Sequence, residues 1–182
     1  MEKKVKKISI RDLCAMAVFT AVIAVMAQLI IPMPYGVPIT LQTLAIPLAG
    51  VMLGAKRGAV ATLVYVLIGA VGAPVFAGFT GGLGTVFGPT GGFILSFPIL
   101  AYTAGYGAEK NDRRWLWLGI TSGVMFNYLC GTIYFSLFTS NDLITSFTVC
   151  VLVFIPGDIL KMLIVGLFGM KVRNILMARN MV

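Results

Sequence analysis

From residue 13 to residue 170 the chain is a succession of apolar runs, and of its Asp, Glu, Lys and Arg residues only Asp158 and Lys161 fall inside one. Runs approaching the ~20 residues that cross a bilayer as a helix, parted by short polar or Gly/Pro-rich breaks, leave few folds open. Backbone groups in hydrocarbon must be satisfied internally, so only helices or a closed barrel can span. The alternation that marks barrel strands is absent, which leaves helices. Of the residues 59% are hydrophobic and 11% charged, whereas a soluble domain carries roughly a quarter charged. The expected class is an all-α integral membrane protein, one domain over 1–182.

Six spans are expected. After a basic N-terminal segment 1–12, apolar runs predict helices over 13–31, 43–54, 58–71, 91–107 and 115–138. The second is short and contains Pro47. The first run is longer than a signal-peptide core and leads directly into further segments, so no cleavable signal is expected. Residues 143–170 are too many for one ordinary span and contain Pro156, and proline suits a first helical turn better than an interior. The sixth helix is therefore expected to start near Pro156. Residues 142–155 form a short helix packed toward the outer face, and 171–182 form a C-terminal tail.

The net charge of +8 is a topology signal and not a nucleic-acid footprint. Lys3, Lys4, Lys6, Lys7 and Arg11 precede the first helix, Lys56 and Arg57 follow the second, Lys110, Arg113 and Arg114 follow the fourth, and Lys171, Arg173 and Arg179 follow the sixth. The alternate connections 32–42, 72–90 and 139–142 hold no basic residue. By the positive-inside rule this is a multi-pass protein of the cell membrane with both termini cytoplasmic. Its basic edge is suited to anionic lipid headgroups. Glu2, Asp12, Glu109 and Asp112 accompany the basic clusters, and Asp142 lies in an outer connection.

Asp158 and Lys161 remain. Three residues apart, they share a helix face. Charges within a membrane segment are costly and mark a functional site by default; the alternative is that they neutralise each other and staple the sixth helix to its neighbours. A start at Pro156 puts them near the outer end, within reach of a ligand from outside.

The uncharged outer connection 72–92 contains eight glycines and two prolines. Such a segment can fold over a ligand and present backbone groups to it. Phe76, Phe79 and Phe87 offer apolar walls, and Thr80 and Thr85 offer hydroxyls; Gly78 and Gly82 permit close approach. No Gly-Lys-Ser/Thr follows, so it is not a nucleotide-binding loop. A second outer segment, 32–44, has three prolines and leads through Gln42 and Thr43 into the short second helix, a pattern that points to transporter binding sites. Asn127 and Tyr128 could add hydrogen bonds inside the bundle or serve interhelical packing.

The chain has no histidine and three widely spaced cysteines, so neither a metal site nor a disulfide framework is expected. One buried Asp and one buried Lys make a poor catalytic set, and no enzyme activity is expected. No cofactor is implied.

Three segments, "VPITLQTLAIPLAGVMLG" at 37–54, "GAPVFAGFTGGLGTVFGPTGGF" at 72–93 and "FIPGDILK" at 154–161, resemble the hallmark stretches of BioY, the biotin-specific S components of energy-coupling factor (ECF) transporters. The resemblance covers nearly the whole chain, in order. It implies a six-helix S-component fold with an outward ligand cavity, energised by a transmembrane T component and two cytoplasmic ATPases. Biotin would be the transported ligand. Lys161 would pair with its valerate carboxylate, and Asp158 would orient Lys161 or bond ligand N–H groups. Gly78, Gly82, Thr80, Phe76, Phe93, Gln42, Tyr128 and Asn127 would complete the site. Some relatives carry asparagine at the position of Thr80 and arginine at that of Ile94. Ala17 and Ala21, four apart on the first helix, match the Ala-x-x-x-Ala pattern with which S components meet the T component. A similar subunit for another small carboxylated vitamin is the nearest alternative, separable by ligand competition. A membrane enzyme would have to show turnover.

Overall fold

The computed structural model describes residues 9–33 and 37–178. The basic residues Lys3, Lys4, Lys6, Lys7 and Arg179, with Glu2 and the tip 34–36 of the proline-rich segment, lie outside the described residues.

Nearly every element is helical. α1 is Ile10–Met26, α2 Gln42–Leu53, α3 Ala55–Ala70, α4 Leu83–Val86, α5 Gly91–Glu109, α6 Arg113–Thr139 and α7 Leu143–Phe147. α8 is Ile155–Ile164 and α9 Met170–Ala178, joined through a π-helical turn at Val165–Gly169. The all-α expectation holds apart from one short antiparallel pair, β1 (Ile30–Ile31) with β2 (Ile39–Thr40). That pair shortens the first predicted helix. The β-branched run Ile30–Ile31 leaves the helix for a ladder with Ile39 and Thr40, a conformation that branched side chains fit well.

Helix starts follow local chemistry. Ser9 caps α1 in a capping box with Asp12, Asp112 accepts from the Arg114 amide at the start of α6, and Asp142 accepts from the Thr145 amide at the start of α7. Pro156 sits in the first turn of α8, as its missing N–H requires. The region before it is helical but passes through a π turn at Thr148–Leu152. Leu143–Leu152 and Ile155–Ile175 meet at a 44° bend. The expected tail begins inside α9, because the helix runs on to Ala178.

α5 is the centre of the bundle, packed on α6, α2 and α3, with α1 outside α3. Small residues set these distances. Gly50 of α2 lies against the Ala101 carbonyl of α5, where a Cβ would clash, and such close backbone approach is how helices associate without a hydrophobic driving force. Outward faces are apolar instead of charged, with Val18, Leu67, Leu95, Leu129, Leu160 and Phe168 all exposed. By length and apolarity Arg113–Thr139 qualifies alone as a membrane-crossing helix, and the bent pair Leu143–Leu152 and Ile155–Ile175 qualifies together.

The residues flanking one end of α2 form a polar knot. Arg57 pairs with Asp12 at 3.0 Å. The Ala55 amide donates to Glu109 Oε1 at 2.8 Å, beside Gly54 at φ +88°. Arg173 donates to the Val51 carbonyl at 2.7 Å. A cavity lies at the other end of α2.

Candidate ligand-binding site

At that other end lies a cavity of about 380 Å³, walled by β2 and the start of α2, the glycine-rich loop, the first turns of α5 and α8, and the middle of α6. Its polar floor is the Asp158–Lys161 pair, whose start-of-helix position follows from Pro156. Lys161 Nζ donates to Asp158 Oδ1 at 2.7 Å, to the Thr40 carbonyl at 2.7 Å and to Thr43 Oγ1 at 2.9 Å. Three donors are all that an ammonium has, so every one is spent. Asp158 Oδ1 also accepts from Thr43 at 2.8 Å, and Oδ2 accepts from the Tyr128 hydroxyl at 2.6 Å. A carboxylate offers about four acceptor positions, so Oδ2 keeps one free. The pair is neutral as a unit, buried, and saturated on its cationic side.

A second chain of hydrogen bonds ties this floor to the loop. The Thr40 hydroxyl donates to Gln42 Oε1 at 2.9 Å, Gln42 Nε2 to the Tyr65 hydroxyl at 2.6 Å, and Tyr65 to the Val75 carbonyl at 3.1 Å. Gln28, at the end of α1, grips the same stretch. Its Nε2 reaches the Val75 and Phe76 carbonyls at 3.2 and 3.1 Å, and its Oε1 accepts from the Phe79 amide at 2.8 Å. Phe79 is held at φ +57°, a region costly for a side chain with a Cβ. The Tyr65 ring meets Phe76 edge-on at 5.5 Å between centroids.

Eight of the ten residues predicted for ligand binding line this cavity: Lys161, Asp158, Thr80, Phe76, Phe93, Gln42, Tyr128 and Asn127. Gly78 and Gly82 do not. Their φ values of +69° and +90° make them turn-formers; the Gly82 amide bonds the Gly69 carbonyl at 2.7 Å, which shapes the loop from behind. Ile94 lines the cavity too, so the wall is apolar where some relatives have arginine. Thr40, Phe97 and Phe154 also line it, and neither they nor Tyr65 and Gln28 were predicted. The Thr40 contact runs through a backbone carbonyl, which residue type cannot reveal. Gln28 had a signal, as a polar residue ending an apolar helix. Ala17 and Ala21 are exposed on α1, so they are not consumed by packing within the chain.

A helical membrane bundle with a cavity lined by loop residues and by a buried ion pair is a solute-binding architecture. Comparison with known proteins narrows it. The BioY family profile matches residues 1–178, and the chain belongs to the BioY family. It is 39% identical to the probable biotin transporter BioY of Pyrococcus horikoshii, over 83% of this chain and 89% of that one. It is 33% identical to the biotin transporter BioY of Thermotoga maritima, over 91% and 97%. The fold is similar to the crystal structure at 2.1 Å of the S-component for biotin from an ECF-type ABC transporter, with a TM-score of 0.84 and 28% identity over 96% and 95% of the two chains. The expected class, an all-α membrane protein of the S-component type, stands, and its relatives are transporters and not enzymes.

Proposed function

We propose that this chain is the biotin-binding subunit of an ECF-type transporter of the cell membrane. The observation that carries the reading is the cavity itself: about 380 Å³, within the ~300–1,000 Å³ typical of small-molecule sites, apolar in most of its wall and closed at one end by Asp158 and Lys161. Biotin has an apolar thiophane body, a ureido ring with two N–H donors and one carbonyl, and a valerate carboxylate. The free acceptor position on Asp158 Oδ2 takes a ureido N–H. Phe93, Phe97 and Phe154 flank the rings, and Gln42 and Tyr128 fix the floor. The valerate runs toward Thr80 and the loop.

This orientation uses Asp158 in the second of its two sequence-derived roles and moves the carboxylate away from Lys161. A valerate carboxylate at Lys161 would have to displace a bond already made and would set a second anion beside Asp158, a repulsive arrangement in a buried site. Lys161 instead fixes Asp158 in place as an acceptor through their 2.7 Å contact.

The rest of the assembly follows the family reading. Six spans, α1, α2, α3, α5, α6 and the α8–α9 helix, put both termini and the Arg57, Glu109 and Arg173 end in the cytoplasm, with basic residues at the lipid headgroups. The single domain comprises the basic segment 1–12, the bundle 13–170 and the segment 171–182. Energy comes from a T component and two ATPase subunits, with Ala17 and Ala21 on the docking face. Equilibrium titration of purified protein with biotin is expected to saturate at one site; a flat titration would contradict the reading. Biotin methyl ester, which keeps the ureido ring, is expected to bind within about tenfold of the acid. A far larger loss would return the carboxylate to Lys161.

A further inference from the structure

Asn127 is a polar side chain almost without exposure, at 1%, and it lines the cavity. Its amide is locked. The Ser96 hydroxyl donates back to the Gly92 and Phe93 carbonyls at 2.8 and 3.0 Å, so toward Asn127 it can only accept. Asn127 Nδ2 fills that role, donating to Ser96 Oγ at 2.7 Å and to the Phe93 carbonyl at 3.0 Å. Both amide protons are thereby committed to the α5 side. Flipping the amide would point an oxygen at a carbonyl oxygen, so Oδ1 is fixed as the atom left over. Among the described residues no donor meets it. The described buried side-chain atoms left without any partner are Thr132 Oγ1 and Ser146 Oγ; Oδ1 is not one of them and so keeps its access to the cavity that Asn127 lines.

We propose that Asn127 Oδ1 is a preorganised acceptor for a ligand N–H and, with Asp158 Oδ2, makes the site selective for a ligand with two N–H donors. The inference rests on the biotin reading and deepens it. The neighbouring Tyr128 hydroxyl fixes Asp158, while Ser96 fixes Asn127, so both acceptors are set before ligand arrives. A cyclic urea has two N–H groups held rigidly by its ring, and each acceptor takes one. A hydrogen-bonding site of this kind rejects analogues that lack the donor, because its own buried group is then left unpaired.

The test compares biotin with two analogues, each methylated on one ureido nitrogen, by equilibrium titration of wild type and Asn127→Ala. Wild type is expected to bind both analogues at least about tenfold more weakly than biotin. Asn127→Ala removes the acceptor and makes room for a methyl group. Biotin should then weaken by about tenfold, and one analogue, not both, should become equal to biotin. Ser96→Ala, which keeps Oδ1 but unlocks the amide, should give a smaller loss with the same analogue preference. Should Asn127→Ala not fold, the wild-type and Ser96→Ala arms still decide. A wild type that accepts either methylated analogue as well as biotin overturns the inference alone, as does Asn127→Ala with undiminished discrimination against both. A wild type with no saturable biotin binding overturns this inference and the functional reading together.

Discussion

The chain buries two aspartates against cations, one at each end of α2, and the two pairs are built differently. Asp12 and Arg57 come from α1 and α3, so their 3.0 Å contact joins two helices, and the Arg57 side chain stays 31% exposed. Asp158 and Lys161 come from one helix turn, with side chains 5% and 9% exposed. A pair within one turn joins nothing by itself; its links to the bundle run through Thr40, Thr43 and Tyr128. Burying charge is expensive and yields little net stability even when the charges are paired. The Arg57 pair fits a structural tie at a wet edge. The Lys161 pair makes physical sense as a fixed acceptor on the wall of the cavity.

Deleting one cation at each end separates these roles most strongly. Lys161→Ala leaves Asp158 buried without its counter-charge, and a loss on the order of 3–5 kcal/mol in stability is expected, with biotin binding lost as well. Arg57→Ala removes a partly exposed partner and should cost no more than about 1 kcal/mol, with biotin affinity unchanged. Thermal unfolding in detergent and titration of both variants would check this. Equal losses in the two would erase the distinction.

Gln28 sharpens the comparison at the cavity end. Its amide holds the loop at Val75, Phe76 and Phe79, so Gln28→Ala is expected to raise amide exchange across 75–80 and to speed biotin dissociation by about tenfold, equivalent to roughly 1.4 kcal/mol. In wild type, biotin should slow exchange across 78–85, because closing the loop over ligand orders it. Unchanged exchange with and without biotin would make the loop a static wall.

The smallest effect on binding is expected on α1. Ala17 and Ala21 face outward, and Ala17→Trp should leave biotin affinity within about twofold while blocking co-purification with the T component. Ala21→Trp should do so to a lesser degree. Joint loss of binding and assembly would place these residues in the bundle's own packing.

Much of this was legible in the residues. Apolar runs broken by Gly, Pro and charge located the helices, because a bilayer restricts the chain to them, and Pro156 located the start of α8 and hence the Asp158–Lys161 face. What escaped was set by backbone geometry. The β1–β2 pair ended α1 early, Gly78 and Gly82 turned out to shape the loop from outside the cavity, and Thr40 enters through its carbonyl. The saturation of Lys161 was equally invisible, since a count of charges does not say where three protons go.

On the proposed reading Asp158, paired with Lys161, recognises ligand and is not simply half of a fold-stabilising pair. Replacing both charges at once tests this directly, because Asp158→Asn/Lys161→Met leaves no orphan charge, keeps an amide oxygen to accept from Tyr128 and offers an amide N–H to the Thr43 hydroxyl oxygen in place of the Lys161 ammonium. The double variant should unfold near the wild-type temperature yet bind biotin more weakly by about 1.5–3 kcal/mol, roughly ten- to a hundredfold, in equilibrium titration. A well-folded double variant with wild-type affinity for biotin would contradict the claim.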